Sequence, residues 1–328
     1  MRELAHAFLE DVRLRPRSPE AGIANRMLGQ TIWFEGDYLG AQHQLELALS
    51  AHDHEQDRQL ASRFGYYPGI HAMFYLAWVL WPLGEVDRAT QIAKEALSLA
   101  RQSGHIPTLA MAHDYVCMLA AIRRKPSEMM PHARAVVGLA HEHGLPLWQA
   151  HGSVFLGWSR WCAGDHDGEA GMREGLRLLQ EIKTRHWQPF YRTLLAEAEA
   201  EAGRLDDGLG TINAQLPEIG QTGERWFATE VHRVRGELLL RHGLPDTGAA
   251  EEAFLYAIEI ARRQRTRTFE LRAALSLAKL YHELRRNPAA RELLASVLPG
   301  FSEGVEVPEV AEANRLLRSL DRISGVTQ

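Results

Sequence analysis

Cysteine is nearly absent from this chain: only Cys117 and Cys162 occur in 328 residues. Neither belongs to a paired ligand spacing, which excludes a disulfide framework or a cysteine-based zinc site. Both fall in apolar helical stretches, so buried free thiols of a reducing compartment are expected. A basic excess is missing too. The formal charge is −5, and wholesale binding to nucleic acid or an anionic membrane needs a cationic face, so neither partner is expected. No run approaches the ~18 apolar residues of a membrane span. Residues 1–10 carry no apolar export segment followed by a cleavage site, and a cytoplasmic location is the expectation.

Catalytic signatures are also lacking. The sequence contains no HExxH, GxSxG or GxGxxG pattern and no GxxxxGK[ST] phosphate loop; no lysine follows a glycine anywhere. No catalytic residue, cofactor or resident metal is therefore assigned. Among 16 histidines, His52-x-His54 and His141-x-His143 are the sharpest metal candidates. Residues two apart on a helix do not face one another, so solvated histidines are expected at both. One basic cluster stands out, Arg262, Arg263, Arg265, Arg267 and Arg272. It reads as a solvated helix end, with an acidic partner or a phosphate as the functional alternative. Strand signals are missing: valine and isoleucine are scattered, and no alternating runs are bounded by Asn-Gly or Asp-Gly.

What the sequence does contain is a repeat. Apolar-periodic segments carry a small residue at Gly29, Ala77, Ala120, Gly157, Ala196, Gly236 and Ala278, spaced by 48, 43, 37, 39, 40 and 42 residues. A turn follows each, as at Gly36-Asp37, Gly84-Glu85, Gly164-Asp165, Gly203-Arg204 and Asn287-Pro288. Further residues then recur at Ala41, Ala89, Ala133, Ala170, Leu209, Ala250 and Ala290. Antiparallel helices approach best where side chains are small, and glycine ends a helix in the left-handed conformation without a Cβ penalty. The spacing predicts helix pairs at 20–35/38–51, 68–83/85–103, 107–123/127–143, 146–163/167–183, 187–202/205–219, 224–241/247–264 and 268–285/288–301. Residues 51–68 read as a long charged connection. Residues 1–18 read as a leading helix with Leu4, Phe8 and Val12 in register. A capping helix is expected at 308–321, its apolar face formed by Val310, Ala313, Leu316, Leu317 and Leu320. The whole of 1–328 is thus expected to be one unit, with repeats over 20–303.

Several phrases carry a more specific likeness. They are Arg63-Phe64-Gly65-Tyr66-Tyr67-Pro68-Gly69, Tyr75-Leu76-Ala77-Trp78-Val79-Leu80-Trp81-Pro82-Leu83-Gly84, Thr222-Gly223-Glu224-Arg225-Trp226 running into His232-Arg233-Val234-Arg235-Gly236-Glu237, and Glu270-Leu271-Arg272-Ala273-Ala274-Leu275. Ser302-Glu303-Gly304 followed by Pro308-Glu309 also fits. With a period of ~40 rather than the usual ~34 residues of a tetratricopeptide repeat, this set resembles the helical-repeat region at the C-terminal end of large bacterial ATPase-linked signalling proteins, class III adenylate/guanylate cyclases and related regulators. The resemblance implies an all-α fold, a right-handed superhelical solenoid of about seven tetratricopeptide-like hairpins with a C-terminal capping helix. It also implies a non-catalytic scaffold or sensor that binds a protein or peptide and controls an effector domain. Any ATPase or cyclase activity would lie in sequence outside this chain.

In such stacks the first helix of each hairpin lines the concave face. Helical spacing then places six, three, one and four residues from each anchor on one stripe. Five of the eight tryptophans fall in two rows of it, at Trp33, Trp81 and Trp161 and at Trp78 and Trp158. The expected binding stripe has an aromatic N-terminal part, His71, Phe74, Trp78, Trp81, Asp114, His151, Trp158 and Trp161, and a charged C-terminal part, Glu230, Arg233, Glu237 and Lys279. If the tryptophans line a groove they are partly exposed; if they pack between hairpins they are buried. A small molecule held in an aromatic concave pocket is the alternative occupant.

Overall fold

A computed structural model describes residues 2–12, 14, 18–52, 54–243, 247–301 and 307–325. The Ser302-Glu303-Gly304 phrase and the middle of the loop after Gly243 lie outside the described residues, as does much of the segment after Val12. The chain is 84% helical, with 17 α-helices and no strand among the described residues. Seven hairpins follow one another: α2 (Pro19–Phe34) with α3 (Tyr38–Ser50), α5 (Pro68–Leu83) with α6 (Val86–Ser103), α7 (Ile106–Ile122) with α8 (Pro126–His143), α9 (Pro146–Cys162) with α10 (Gly168–Glu181), α11 (Gln188–Glu201) with α12 (Leu205–Thr222), α13 (Ala228–Arg241) with α14 (Gly248–Gln264), and α15 (Arg267–Glu283) with α16 (Asn287–Val297). A leading helix, α1 (Arg2–Val12), packs on α2, and α17 (Pro308–Gly325) covers α15 and α16.

One helix was not expected. Residues His54–Phe64 form α4 inside the charged 51–68 connection, where Ala61 is buried and Asp57 reaches Gly69 N at 2.7 Å. In α1 the buried face is Ala5 and Val12, while Leu4 is exposed.

Caps and turns follow the sequence. Ser18 Oγ accepts from Ala21 N and Asp37 Oδ1 from Gly40 N, at 3.2 and 2.9 Å, satisfying first-turn donors of α2 and α3. Gly84 ends α5 at φ +97°. Where the turn lacks glycine, Arg124, Arg265 and Arg285 take the left-handed conformation, with φ between +56° and +60°.

The first helices form the inner layer and the second helices the outer one. Every residue of α5 is buried, as a helix apolar all round must be, whereas α6 and α10 bury one face. Helix α17 buries Ala313 and Leu320 and rests Val310, Leu316 and Leu317 against the core.

The small residues sit at the crossings, with two shifts of register. Ala170 is exposed, and the close approach of α9 to α10 runs through Gly157, Gly168 and Gly175 instead. In α12 Gly208, not Leu209, meets the backbone of Ala196. A Cβ on Gly157 would lie 2.5 Å from Gly168 O and 2.7 Å from Met172 N, backbone atoms that cannot step aside. Gly157→Ala should therefore lower stability by about 1–3 kcal/mol despite alanine's better helix propensity. Gly138→Ala, in α8 with nothing within 4 Å, should raise it by about 0.5–1 kcal/mol. Urea midpoints moving in the same direction for both would contradict this packing.

Cys117 is buried, but Cys162 is exposed. As the last residue of α9 it lies beyond the hairpin contact, which corrects the expectation of two buried thiols.

Candidate functional site

The inner layer curls until its two halves touch. Phe34 O, at the end of α2, accepts from Arg225 N and Trp226 N at 2.7 and 3.2 Å. Tyr38 Oη donates to Trp226 O at 2.6 Å, and the Trp33 and Trp226 rings stack at 4.4 Å. At the next hairpin Thr268 Oγ1 donates to Trp81 O at 3.4 Å. At the third, Arg272 Nη1 donates to Ile122 O at 2.8 Å, capping an otherwise orphaned carbonyl at the end of α7. These contacts form a seam between residues roughly 150–190 apart in sequence, on elements linked as in a closing superhelix.

Closure corrects the expected aromatic groove. Trp78, Trp81, Trp158 and Trp161 are exposed by 6% or less, and Phe74, His71, Asp114 and His151 are buried with them. These side chains pack into the interior of the closed inner layer instead of lining an open groove. Two of these indoles use their N–H inside the packed face: Trp78 Nε1 donates to Tyr115 O at 3.1 Å and Trp161 Nε1 to Glu201 at 2.9 Å. Trp81 instead lies beneath the Arg272 guanidinium, 4.9 Å from the ring centroid, a cation–π contact.

The histidines are also explained by packing. His71 is stacked between Tyr66 and Tyr75, with centroids 4.8 and 4.7 Å away. Burial, helped by the charge of Arg26, pushes its pKa well below the ordinary value, so the ring is neutral. His151 Nδ1 lies 3.2 Å from Asp114 Oδ2, and burial raises the Asp114 carboxyl against the opposing pull of His151. At the seam, burial lifts Glu224 to about 7, although the Trp226 indole and the Trp187 amide both donate to it.

The charged part of the stripe forms a ladder along the inner rim. Arg124, just past α7, grips Glu197 of α11 through two bonds of 2.6 and 2.5 Å. On α13, Arg233 binds Glu230 at 2.9 Å and Glu237 at 2.6 Å. Arg272 of α15 lies 3.4 Å from Glu230 and 2.6 Å from Glu309 of α17. Ser276 donates to Glu237 at 2.9 Å, and Lys279 reaches Glu312 at 2.7 Å. Burial alone would raise the Glu230 carboxyl, but the guanidiniums of Arg233, Arg272 and Arg124 outweigh it and hold it at about 2. Glu237 is likewise held low, burial being overcome chiefly by Arg233.

A cavity of about 220 Å³ opens on this ladder, lined among others by Arg124, Glu237, Arg272, Lys279 and Glu312. Arg272 is 5% exposed, and its Nη2, like Glu309 Oε2, is buried without a hydrogen-bond partner. Lys279 is exposed at the edge. Of the twelve stripe residues, then, Arg233, Glu237 and Lys279 line this cavity, and the other nine, Glu230 among them, are buried in the interior. Arg272 was grouped by sequence with a solvated arginine cluster; it is instead a central buried rung. Glu309 and Glu312 were missed because the sequence marks only the apolar face of the capping helix, whereas these two reach Arg272 and Lys279 of α15.

Among the described residues no group of three or more His, Cys, Asp or Glu side chains is arranged to hold a metal ion. None of the helices described is long and apolar enough to cross a membrane.

These features define a tetratricopeptide-like helical-repeat protein. No family model matches the chain. An uncharacterized protein of Rhizobium meliloti (strain 1021) is 22% identical over 247 residues, 75% of this chain and 24% of that protein; the chain thus spans about a quarter of the length of this curated relative. Among solved structures, a Rap protein complexed with competence and sporulation factor superposes with a TM-score of 0.55 at 12% identity, covering 98% of this chain and 80% of the Rap chain. The apo form of RapI gives 0.53 at 10% identity, over 90% and 98% of the two chains. Aspartyl phosphate phosphatase F from Bacillus subtilis gives 0.52 at 14%, over 89% and 73%. At these identities the likeness establishes the helical-repeat fold.

Proposed function

We propose that this chain is a non-catalytic binding module that takes up a protein or peptide segment on the charged inner rim and passes the occupancy to an effector domain of a bacterial signalling regulator. The observation that carries the binding reading is the pair of buried, unpartnered atoms, Arg272 Nη2 and Glu309 Oε2, beside the rim cavity. An orphaned buried polar group costs about 1–3 kcal/mol, and an incoming backbone amide offers both a donor and an acceptor. Lys279 and Glu312 stand at the mouth as a displaceable pair of modest strength. The complex of the similar Rap protein with competence and sporulation factor supports the same use of the fold. The much greater length of the Rhizobium relative is consistent with an effector elsewhere in such proteins, and the ATPase- or cyclase-linked context rests on the sequence resemblance. The small-molecule alternative relied on an aromatic pocket, and those aromatics are packed against one another.

Peptides selected on the chain from a random 12-residue display library should lose about tenfold or more in affinity, 1.4 kcal/mol, for a Lys279→Ala, Glu312→Ala double variant. Both side chains sit at the surface, so helical content should not change. Failure to enrich any peptide, or equal affinity for the variant, would remove the rim as the binding surface.

A further inference from the structure

A second surface lies on the outside of the seam. The turn between α2 and α3 faces the ends of α12 and α14 across a groove of about 760 Å³. Ile219 and Ile260 form part of its floor, and Leu39 and Tyr256 flank it. Leu39 is 51% and Tyr256 45% exposed, two of the few large apolar side chains left open to solvent. His232 packs edge-on against the Tyr256 ring, with centroids 4.6 Å apart, so the exposed ring is held in place.

The groove is also unbalanced in charge. Arg225, Arg263 and Arg265 line it. Arg263 approaches Glu259 only at 3.7 Å, and the guanidiniums of Arg225 and Arg265 have no ion pair or side-chain hydrogen bond among the described residues. Of the two acids on the opposite wall, Glu35 is paired with Arg2 at 2.7 Å and Asp37 caps α3 by accepting from Gly40 N at 2.9 Å, so the three arginines outnumber the one lining carboxylate that is not in a salt bridge. Gln264 Nε2 donates to Arg225 O at 2.9 Å, which ties the segment bearing one arginine to the helix end bearing the others. Guanidiniums prefer carboxylates, which they bind through two parallel bonds, and the apolar flanks favour an aliphatic or aromatic anchor.

We infer that this groove is a docking site for an acidic segment of a partner protein, carrying an apolar residue that seats between Leu39 and Tyr256. It is distinct from the inner rim. Because its walls come from both sides of the seam, an occupant there also clamps the superhelix shut.

The test uses a fluorescein-labelled peptide alternating Glu and Leu, its twin with Gln for Glu, and a labelled single-stranded oligonucleotide. Fluorescence anisotropy should show the acidic peptide binding about tenfold tighter than its amide twin, a preference that weakens as salt rises. Arg225→Gln and Arg265→Asn should each reduce affinity several-fold and together erase the preference. Asparagine tolerates the left-handed backbone at 265, and Arg225 holds the seam through its main chain, so both variants should melt like the wild type. Saturating acidic peptide should also raise Tm, since a ligand confined to the closed form stabilises it. Equal binding of the amide twin, an undiminished preference in the double variant, or displacement of the peptide by the oligonucleotide would each overturn the proposal.

Discussion

Glu230→Ala should destabilise the chain by about 3–5 kcal/mol, the cost of breaking a buried ion pair by removing one partner. Glu230 is fully buried, and its carboxylate is shared by Arg233 and Arg272, with Arg124 at 3.9 Å. Removing it leaves the guanidiniums of Arg124, just past α7, Arg233 of α13 and Arg272 of α15 crowded together with no central anion. The same contacts give a pH signature. The folded-state carboxyl sits at about 2 against 4.5 in a free side chain, so its contribution is complete above pH 4.5 and disappears as pH falls towards 2. Glu230→Gln should lack that acid-dependent loss. A wild-type-like urea midpoint for Glu230→Ala, or an unchanged acid limb in Glu230→Gln, would show that the ladder does not hold the inner helices.

Trp226→Ala should cost about 3–5 kcal/mol and open the superhelix. The side chain is buried against Trp33, Phe190 and Phe227, and its indole N–H binds Glu224. The backbone bonds to Phe34 would persist, but the stacked ring that seals them would be gone. Denaturation should report the loss, and small-angle scattering should report a larger radius of gyration. A destabilised variant of unchanged dimensions would mean that Trp226 is ordinary core rather than seam. The neighbouring Glu224 adds a pH dependence of opposite sense. Its folded value of about 7 exceeds the free 4.5, so closure weakens as pH rises through that interval. Glu224→Gln, which keeps the acceptor oxygen, should abolish the weakening.

The helices were legible because their ends are written locally. Glycine in left-handed turns, a capping Ser18 or Asp37, and proline in the first turns of α5, α7 and α9 mark boundaries that tertiary packing does not move. Helix α4 was not legible, because a short helix dense in charge has little apolar periodicity. For the stripe, helical spacing made only the grouping of residues along each first helix legible. Its burial was not, because the curl of a solenoid is the sum of small rotations at each interface, and none of these is marked by a motif. The same holds for Arg272: its partners Ile122, Glu230 and Glu309 come from three other helices. Ala170 and Leu209 show the remaining error, an offset of one or two residues where Gly168 and Gly208 take the crossing.

Phe34 and Arg225 share a hydrogen bond although 191 residues separate them in the chain. In an open repeat array each unit leans only on its neighbours, folding spreads from any starting point, and the ends fray one at a time. A ring-like closure removes that freedom. The first hairpin cannot peel away without stripping support from the fifth and sixth. The chain gains long-range contact order, which slows folding, in exchange for behaving as one cooperative unit with no independent end repeat on that side.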